Sequence, residues 1–266
     1  MRRLIWPIIL VASCAALGCA TGSHKLDRAR DAGSLHILID QGIGRVASVL
    51  LRWVVEGGRD PRIHEAHPAT LAKTLETDKT ADVFMTSDEV LIDELIKRGL
   101  LDATSKTHFA TLYLVVVVPH AATWVPKDLT GLAAPQVRAL ALADAGSPEG
   151  DAAEAALRQA GVWEILKERV HRAGYGNWPM GLFVGGKLQA AIAFRGELAD
   201  QAQVAFEVPT ESYSPIRCWA AVAARTQRKA DAERFVQFLK SPEAARVLEG
   251  VGIEPVLRTS EDNSAH

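Results

Sequence analysis

From Leu35 onward the chain alternates short apolar runs with stretches of helical spacing, and this alternation restricts the fold more than any other feature. Leu35 to Ile39 reads as a strand. It is followed by Val46, Val49, Leu50 and Trp53 at helical spacing, which makes a first βα unit. The turn residues Gly57 to Pro61 lead to a weak strand around Ile63, then to Leu71 and Leu75 on one helical face. Ala81 to Met85 is a third strand. Thr86-Ser87-Asp88-Glu89 then reads as a capping box, with Glu89 reaching back to the Thr86 amide, for a helix through Val90, Ile92, Leu95 and Ile96 that stops at Gly99.

The second half repeats the theme. Leu112 to Val118 is a continuous, mostly β-branched run of the kind buried on both faces of a central strand. After a strand at Val137 to Leu142, Ser147-Pro148-Glu149 supplies an N-cap, a proline at the first helical position and an acid in the first turn of a helix that ends before Gly161. Leu188 to Phe194, Val204 to Val208 and Cys218 to Ala224 are strand-like; Ala230 to Leu239 and Ala244 to Leu248 are helical, the latter capped by Ser241-Pro242-Glu243. The pattern predicts an α/β fold with doubly wound sheets flanked by helices. Ligands on such sheets bind outside the carboxyl ends of the strands.

The first residues follow different rules. Arg2 and Arg3 precede an apolar run from Leu4 to Leu17, too short for a membrane-spanning helix, so residues 1–18 read as an export signal. The run ends in Ala16-Leu17-Gly18-Cys19, which resembles the bacterial lipobox, in which the cysteine is acylated and becomes the new N-terminus. Cys14 is a second match, but it leaves a shorter apolar stretch; the remaining alternative is an ordinary cleaved signal. Residues 19–33 lack an apolar period and read as a tether between lipid and folded body. Cys218 is then a lone thiol, expected as a buried small hydrophobe. The formal charge of -2 argues against the basic surface that nucleic-acid binding requires.

No GxSxG, HExxH, Walker A or strand-linked GxGxxG motif occurs, so the chain is not read as an enzyme and no cofactor is implied. His64 and His67 stand three residues apart: on a helix both could face one metal ion, whereas on a strand they would point to opposite faces. Gly174 to Pro179, with Asn177 and Trp178, offers backbone amides and an aromatic wall to a ligand, or is a tight connection only.

Ala81-Asp82-Val83-Phe84-Met85-Thr86-Ser87-Asp88 with Gly99-Leu100 is similar to a segment of periplasmic oxyanion-binding proteins. Three later segments, Gly161 to Lys167, Gly186 to Ala193 and Phe235 to Ala244, each resemble their counterparts in the same order. Over about residues 34 to 255 the chain resembles the molybdate-binding branch of the solute-binding proteins of ABC importers. The resemblance implies a two-lobed type II periplasmic binding fold with a ligand cleft between the lobes, residues 34–116 and 209–266 forming the first lobe and 117–208 the second. It also implies capture of a small oxyanion and its delivery to a permease; the chain is expected to be a monomer, anchored to the membrane through the lipid on Cys19.

For the site, the resemblance together with the local pattern nominates Asp40, Gln41, Gly42, His67, Ser147, Asn177, Trp178 and Phe194. Three hydroxyl donors expected from the family are replaced: a serine by the Asp40-Gln41-Gly42 turn, a serine-rich loop by His64 to Thr70, and a tyrosine by Phe194. Asp40 would repel a dianion unless it turns away or caps the following helix. Two alternatives stay open: a receptor for a metal ion or metal chelate using Asp40, His64, His67 and Glu149, and a ligand sensor of the same fold.

Overall fold

The computed structural model describes residues 34–51 apart from 45 and 49, 61–174, 188–195 and 202–257. The first sheet has the strand order β11-β4-β10-β3-β1-β2. It is built from β1 (His36–Asp40), β2 (Arg62–Ala66), β3 (Val83–Thr86), β4 (Thr107–Leu112), β10 (Ile216–Val222) and β11 (Glu254–Pro255). The second sheet has the order β7-β6-β8-β5-β9. Its strands are β5 (Leu114–Pro119), β6 (Leu140–Leu142), β7 (Val170–Arg172), β8 (Ala190–Phe194) and β9 (Ala202–Glu207). The flanking helices include α1 (Pro68–Thr77), α2 (Glu89–Lys97), α3 (Pro148–Gln159), α5 (Lys229–Phe238) and α6 (Pro242–Glu249); α4 (Trp163–Leu166) is a single turn. This is a two-lobed α/β fold with one mixed sheet in each lobe.

The alternation in β1 and β3 shows how the apolar runs became central strands. Ile37, Ile39, Val83 and Met85 face one core, while Leu38 and Phe84 face another under α1 and α2. Both faces are covered, so the runs are continuous in hydrophobicity. The first of these cores also takes in Val116, Val118, Leu140 and Ile192 from the second sheet, so one apolar cluster runs through both lobes. After β1, Gln41–Ile43 form a short 3-10 turn, and Gly44, Val46, Ala47, Ser48, Leu50 and Leu51 are helical.

The run at 112–118 is two strands, not one. β4 ends at Leu112 and β5 begins at Leu114, so the chain changes sheet at Tyr113 and returns between Glu207 and Ile216. Leu112 stands opposite Ile216 in the first sheet, and Leu114 stands opposite Phe194 in the second. Buried Tyr213 ties the two passages together, its hydroxyl accepting a hydrogen bond from the Leu114 amide at 2.9 Å. The Tyr113 phenol is pushed up to about 12 by its hydrogen bond with Glu254 and by burial. The expected capping box at Thr86 is also replaced: the cap is Asp88, which accepts from the Leu91 amide, while the Thr86 hydroxyl donates to Asp40 and accepts from the Asp88 amide.

Candidate functional site

Strand direction locates the site. β4 runs toward the crossover at Tyr113, and β1, β2 and β3 are parallel to it, because β10 is antiparallel to both β3 and β4. β5 runs away from the crossover; β8 and its parallel neighbour β6 therefore run toward it. The carboxyl ends of both parallel sets thus face each other across the crossover, the position where open α/β sheets bind ligands.

On the first edge, Asp40 is fully buried at the end of β1. Its Oδ1 accepts from the Gly42 amide at 2.8 Å, and its Oδ2 accepts from the Thr86 hydroxyl at 2.9 Å and from the Ser87 hydroxyl and amide at 3.3 and 3.4 Å. The carboxylate therefore caps the turn that follows it and gathers the nearby donors. These contacts stabilise a buried charge that would otherwise be costly. Register explains the partnership, since Ile39 lies beside Met85 and the next residue of each strand is Asp40 and Thr86. Behind them the buried Cys218 thiol is pushed up by burial and by the Asp40 charge.

The neighbouring candidates have local tasks. Gln41 is exposed and Gly42 half-buried within the turn. His67 is exposed, and its Nδ1 accepts from the Ala69 amide at 3.2 Å, capping α1. It follows Ala66, which stands opposite Asp40, so it lies on the same sheet edge. His64 lies back along the strand opposite Leu38, stacked on His36 with ring centroids 6.4 Å apart. Burial, followed by the Arg62 charge, holds the His36 imidazole below its usual range. Among the described residues no three His, Cys, Asp or Glu side chains cluster as a metal site would.

On the second edge, Ser147 caps α3: its hydroxyl accepts from the Gly150 amide at 3.0 Å and donates to the Asp144 carbonyl at 2.7 Å, so both of its roles are already used. A side chain at Gly150 would put its Cβ 2.0 Å from the Asp144 carbonyl oxygen, which is why this first turn can lie so close to the loop after β6. α3 packs against β8 and also against β10 of the first sheet, and its first-turn residue Glu149 meets the Phe194 backbone, opposite Leu114, so the N-terminus stands beside the crossover. Phe194 is buried as the last residue of β8.

Glu149 completes this edge. Its Oε1 is sealed from solvent and has no hydrogen-bond partner among the described residues. Burial pushes its carboxyl up to about 8, opposed only by a hydrogen bond with the Phe194 backbone. The sequence placed Glu149 in the first helical turn, a favourable position for any surface acid; nothing in its local pattern signals that the side chain turns inward. Asn177, Trp178, Cys14 and Cys19 lie outside the described residues.

Residues 58–254 match the family model described as bacterial extracellular solute-binding protein. The chain belongs to this family. Its relatives include the molybdate-binding protein ModA of Escherichia coli, 24% identical over 256 residues that cover 90% of this chain and 94% of that one. The ModA of Haemophilus influenzae is 23% identical, over 70% of this chain and 76% of its own length. The periplasmic molybdate-binding protein of Azotobacter vinelandii shares the fold with a TM-score of 0.72 at 19% identity, covering 85% of this chain and all of that one. Family membership makes this a protein that acts outside the cytoplasm by binding a solute. Among the described residues no helix is long and apolar enough to cross a membrane.

Proposed function

We propose that this chain is the substrate-binding lipoprotein of an ABC importer, taking up a small oxyanion of the molybdate and tungstate type between its lobes and delivering it to a permease. The observation that carries the reading is the placement of the carboxyl ends of β1, β3, β6 and β8 on opposite sides of one crossover, with the N-terminus of α3 beside them. Helix N-termini and strand-end turns offer amides and positive dipole ends to an anion. The names of the relatives point to molybdate. Asp40, the acid that most opposes an anion, has its oxygens engaged by Gly42, Thr86 and Ser87, so its charge is answered locally.

The ligand is tested by thermal unfolding of residues 20–266 with molybdate, tungstate and sulfate. Selective binding to the native state at a hundred times Kd adds about 2.7 kcal/mol, and an unchanged unfolding temperature with all three rejects the oxyanion. Lipid attachment is tested in the whole chain: Cys19→Ala is expected to move the protein from the membrane fraction to the soluble fraction, and continued membrane retention removes the anchor.

A further inference from the structure

Donors at the carboxyl ends of parallel strands can serve a ligand only while they are not committed elsewhere, and on the first edge a group of them is committed. Thr86 is the last residue of β3, Ser87 follows it, and Gly42 stands in the turn after β1, so all three lie where the first sheet ends against the crossover. Thr86 is buried, whereas Gly42 and Ser87 are half-buried and reach solvent in part. Their donors converge on one side chain: the Gly42 amide on Oδ1 of Asp40 at 2.8 Å, and the Thr86 hydroxyl, Ser87 hydroxyl and Ser87 amide on Oδ2 at 2.9, 3.3 and 3.4 Å.

An ionised carboxylate accepts about four hydrogen bonds and donates none, which is the demand a small oxyanion makes of its binding site. Two amides and two hydroxyls from two strand ends, brought together by the pairing of Ile39 with Met85, therefore form a small-anion site whose occupant belongs to the chain. Asp40 is fully buried and fixed covalently at the end of β1. A free anion must give up translational and rotational freedom to take the same donors, and Asp40 does not, so the tethered carboxylate holds them.

We propose that Asp40 is a specificity-determining residue of this cleft, a resident carboxylate that keeps the oxygens of a bound oxyanion off Gly42, Thr86 and Ser87 and leaves the ligand to the other donors of the cleft. The inference rests on the oxyanion reading above and sets which strand-end donors such a ligand can use. Thr86 is held twice, because its hydroxyl also accepts from the Asp88 amide at the start of α2, and turning it toward a ligand gives up both contacts. The Ser87 contacts are the longest of the set, so Ser87 is the donor an anion regains first when the carboxylate is removed.

The test is calorimetric titration of the purified protein, Asp40→Asn and Asp40→Ala with molybdate, tungstate and sulfate at neutral pH. Both variants remove the charge, but asparagine still fills the place among the donors and alanine vacates it. Asp40→Ala is expected to bind about tenfold more tightly than Asp40→Asn, the equivalent of one or two recovered hydrogen bonds, and more tightly than the unaltered protein. A side chain that only supported the fold would give a loss of affinity on truncation, not a gain. If the unaltered protein binds and Asp40→Ala binds no more tightly than Asp40→Asn, the role of Asp40 is overturned and the receptor reading stands. If none of the three proteins binds any of the ions, both are overturned. Binding by Asp40→Ala alone upholds the exclusion and removes the oxyanion as the ligand of the unaltered chain. Circular dichroism establishes that each variant is folded before its affinity is read; should Asp40→Ala not fold, Asp40→Ser, whose side chain ends one bond short of the carboxylate oxygens, is read in its place.

Discussion

Replacing Glu149 by glutamine changes stability in a pH-dependent way whose sign follows from the site. The unfolded chain releases this proton near its ordinary value of 4.5, and the folded chain holds it to about 8. Between those values the native state binds more protons than the unfolded state, so the acid lowers stability as pH rises from 4.5 to 8 and the full penalty persists above it. At about 1.4 kcal/mol per pH unit, the interval from 4.5 to 7 corresponds to about 3 kcal/mol, and the helix N-terminus, which favours a negative charge, returns up to about 1. Glu149→Gln keeps the shape and does not titrate. It is therefore expected to be more stable than the unaltered protein by about 2 kcal/mol at pH 7, a rise of about 4 to 8 °C in Tm for a body of this size. Near pH 4 the two proteins should melt together. Scanning fluorimetry without ligand at pH 4, 5.5, 7 and 8 reads this directly. A Tm difference that is the same at all four values would mean that Glu149 does not hold its proton in the native state, and the argument from burial would fail.

Three further substitutions test the supporting geometry. Asp40→Ala removes the acceptor for the Gly42 amide and the Thr86 and Ser87 hydroxyls, and is expected to cost about 2 to 4 kcal/mol in urea unfolding; a loss below about 1 kcal/mol means those donors find other partners. Ser147→Ala removes the α3 cap and should cost about 1 kcal/mol, yet leave the Tm rise produced by a bound oxyanion unchanged, because its hydroxyl is already committed to Gly150 and Asp144. Gly150→Ala forces a methyl to within 2.0 Å of the Asp144 carbonyl oxygen. It is expected to cost more than about 4 kcal/mol or prevent folding, and a protein of normal Tm would show that the first turn of α3 can retreat.

The elements of this fold were legible where one period dominates. The apolar runs in β1, β3 and β8 and the Ser-Pro-Glu starts of α3 and α6 carry their signal within a few residues, and the structure places a strand or a capped helix at each. The change of lobe was expected within 112–118, but the break of this run into two strands at Tyr113 was not legible. Hydrophobicity stays high across it, and what separates the two strands is a change of partner, from Ile216 to Phe194, that no local pattern records. The capping box failed for a related reason: Thr86 has the right spacing to Glu89, but its hydroxyl donates to a buried carboxylate on the adjacent strand and accepts from the Asp88 amide, and Asp88 becomes the cap.

The site divides along this line. Asp40 could be singled out from sequence because it stands where the family resemblance expects a serine, and the alternative that it caps the following turn is the arrangement found. Glu149 could not be singled out for its own sake, because an acid in a first helical turn is the commonest helix signal there is. Its inward orientation depends on α3 lying between β8 and β10, and that in turn depends on Gly150 allowing the turn to approach Asp144. The two edges therefore use acids in opposite ways. At Asp40 the donors converge on the carboxylate and its charge is satisfied; at Glu149 none of the described donors reaches Oε1, and burial favours the protonated form.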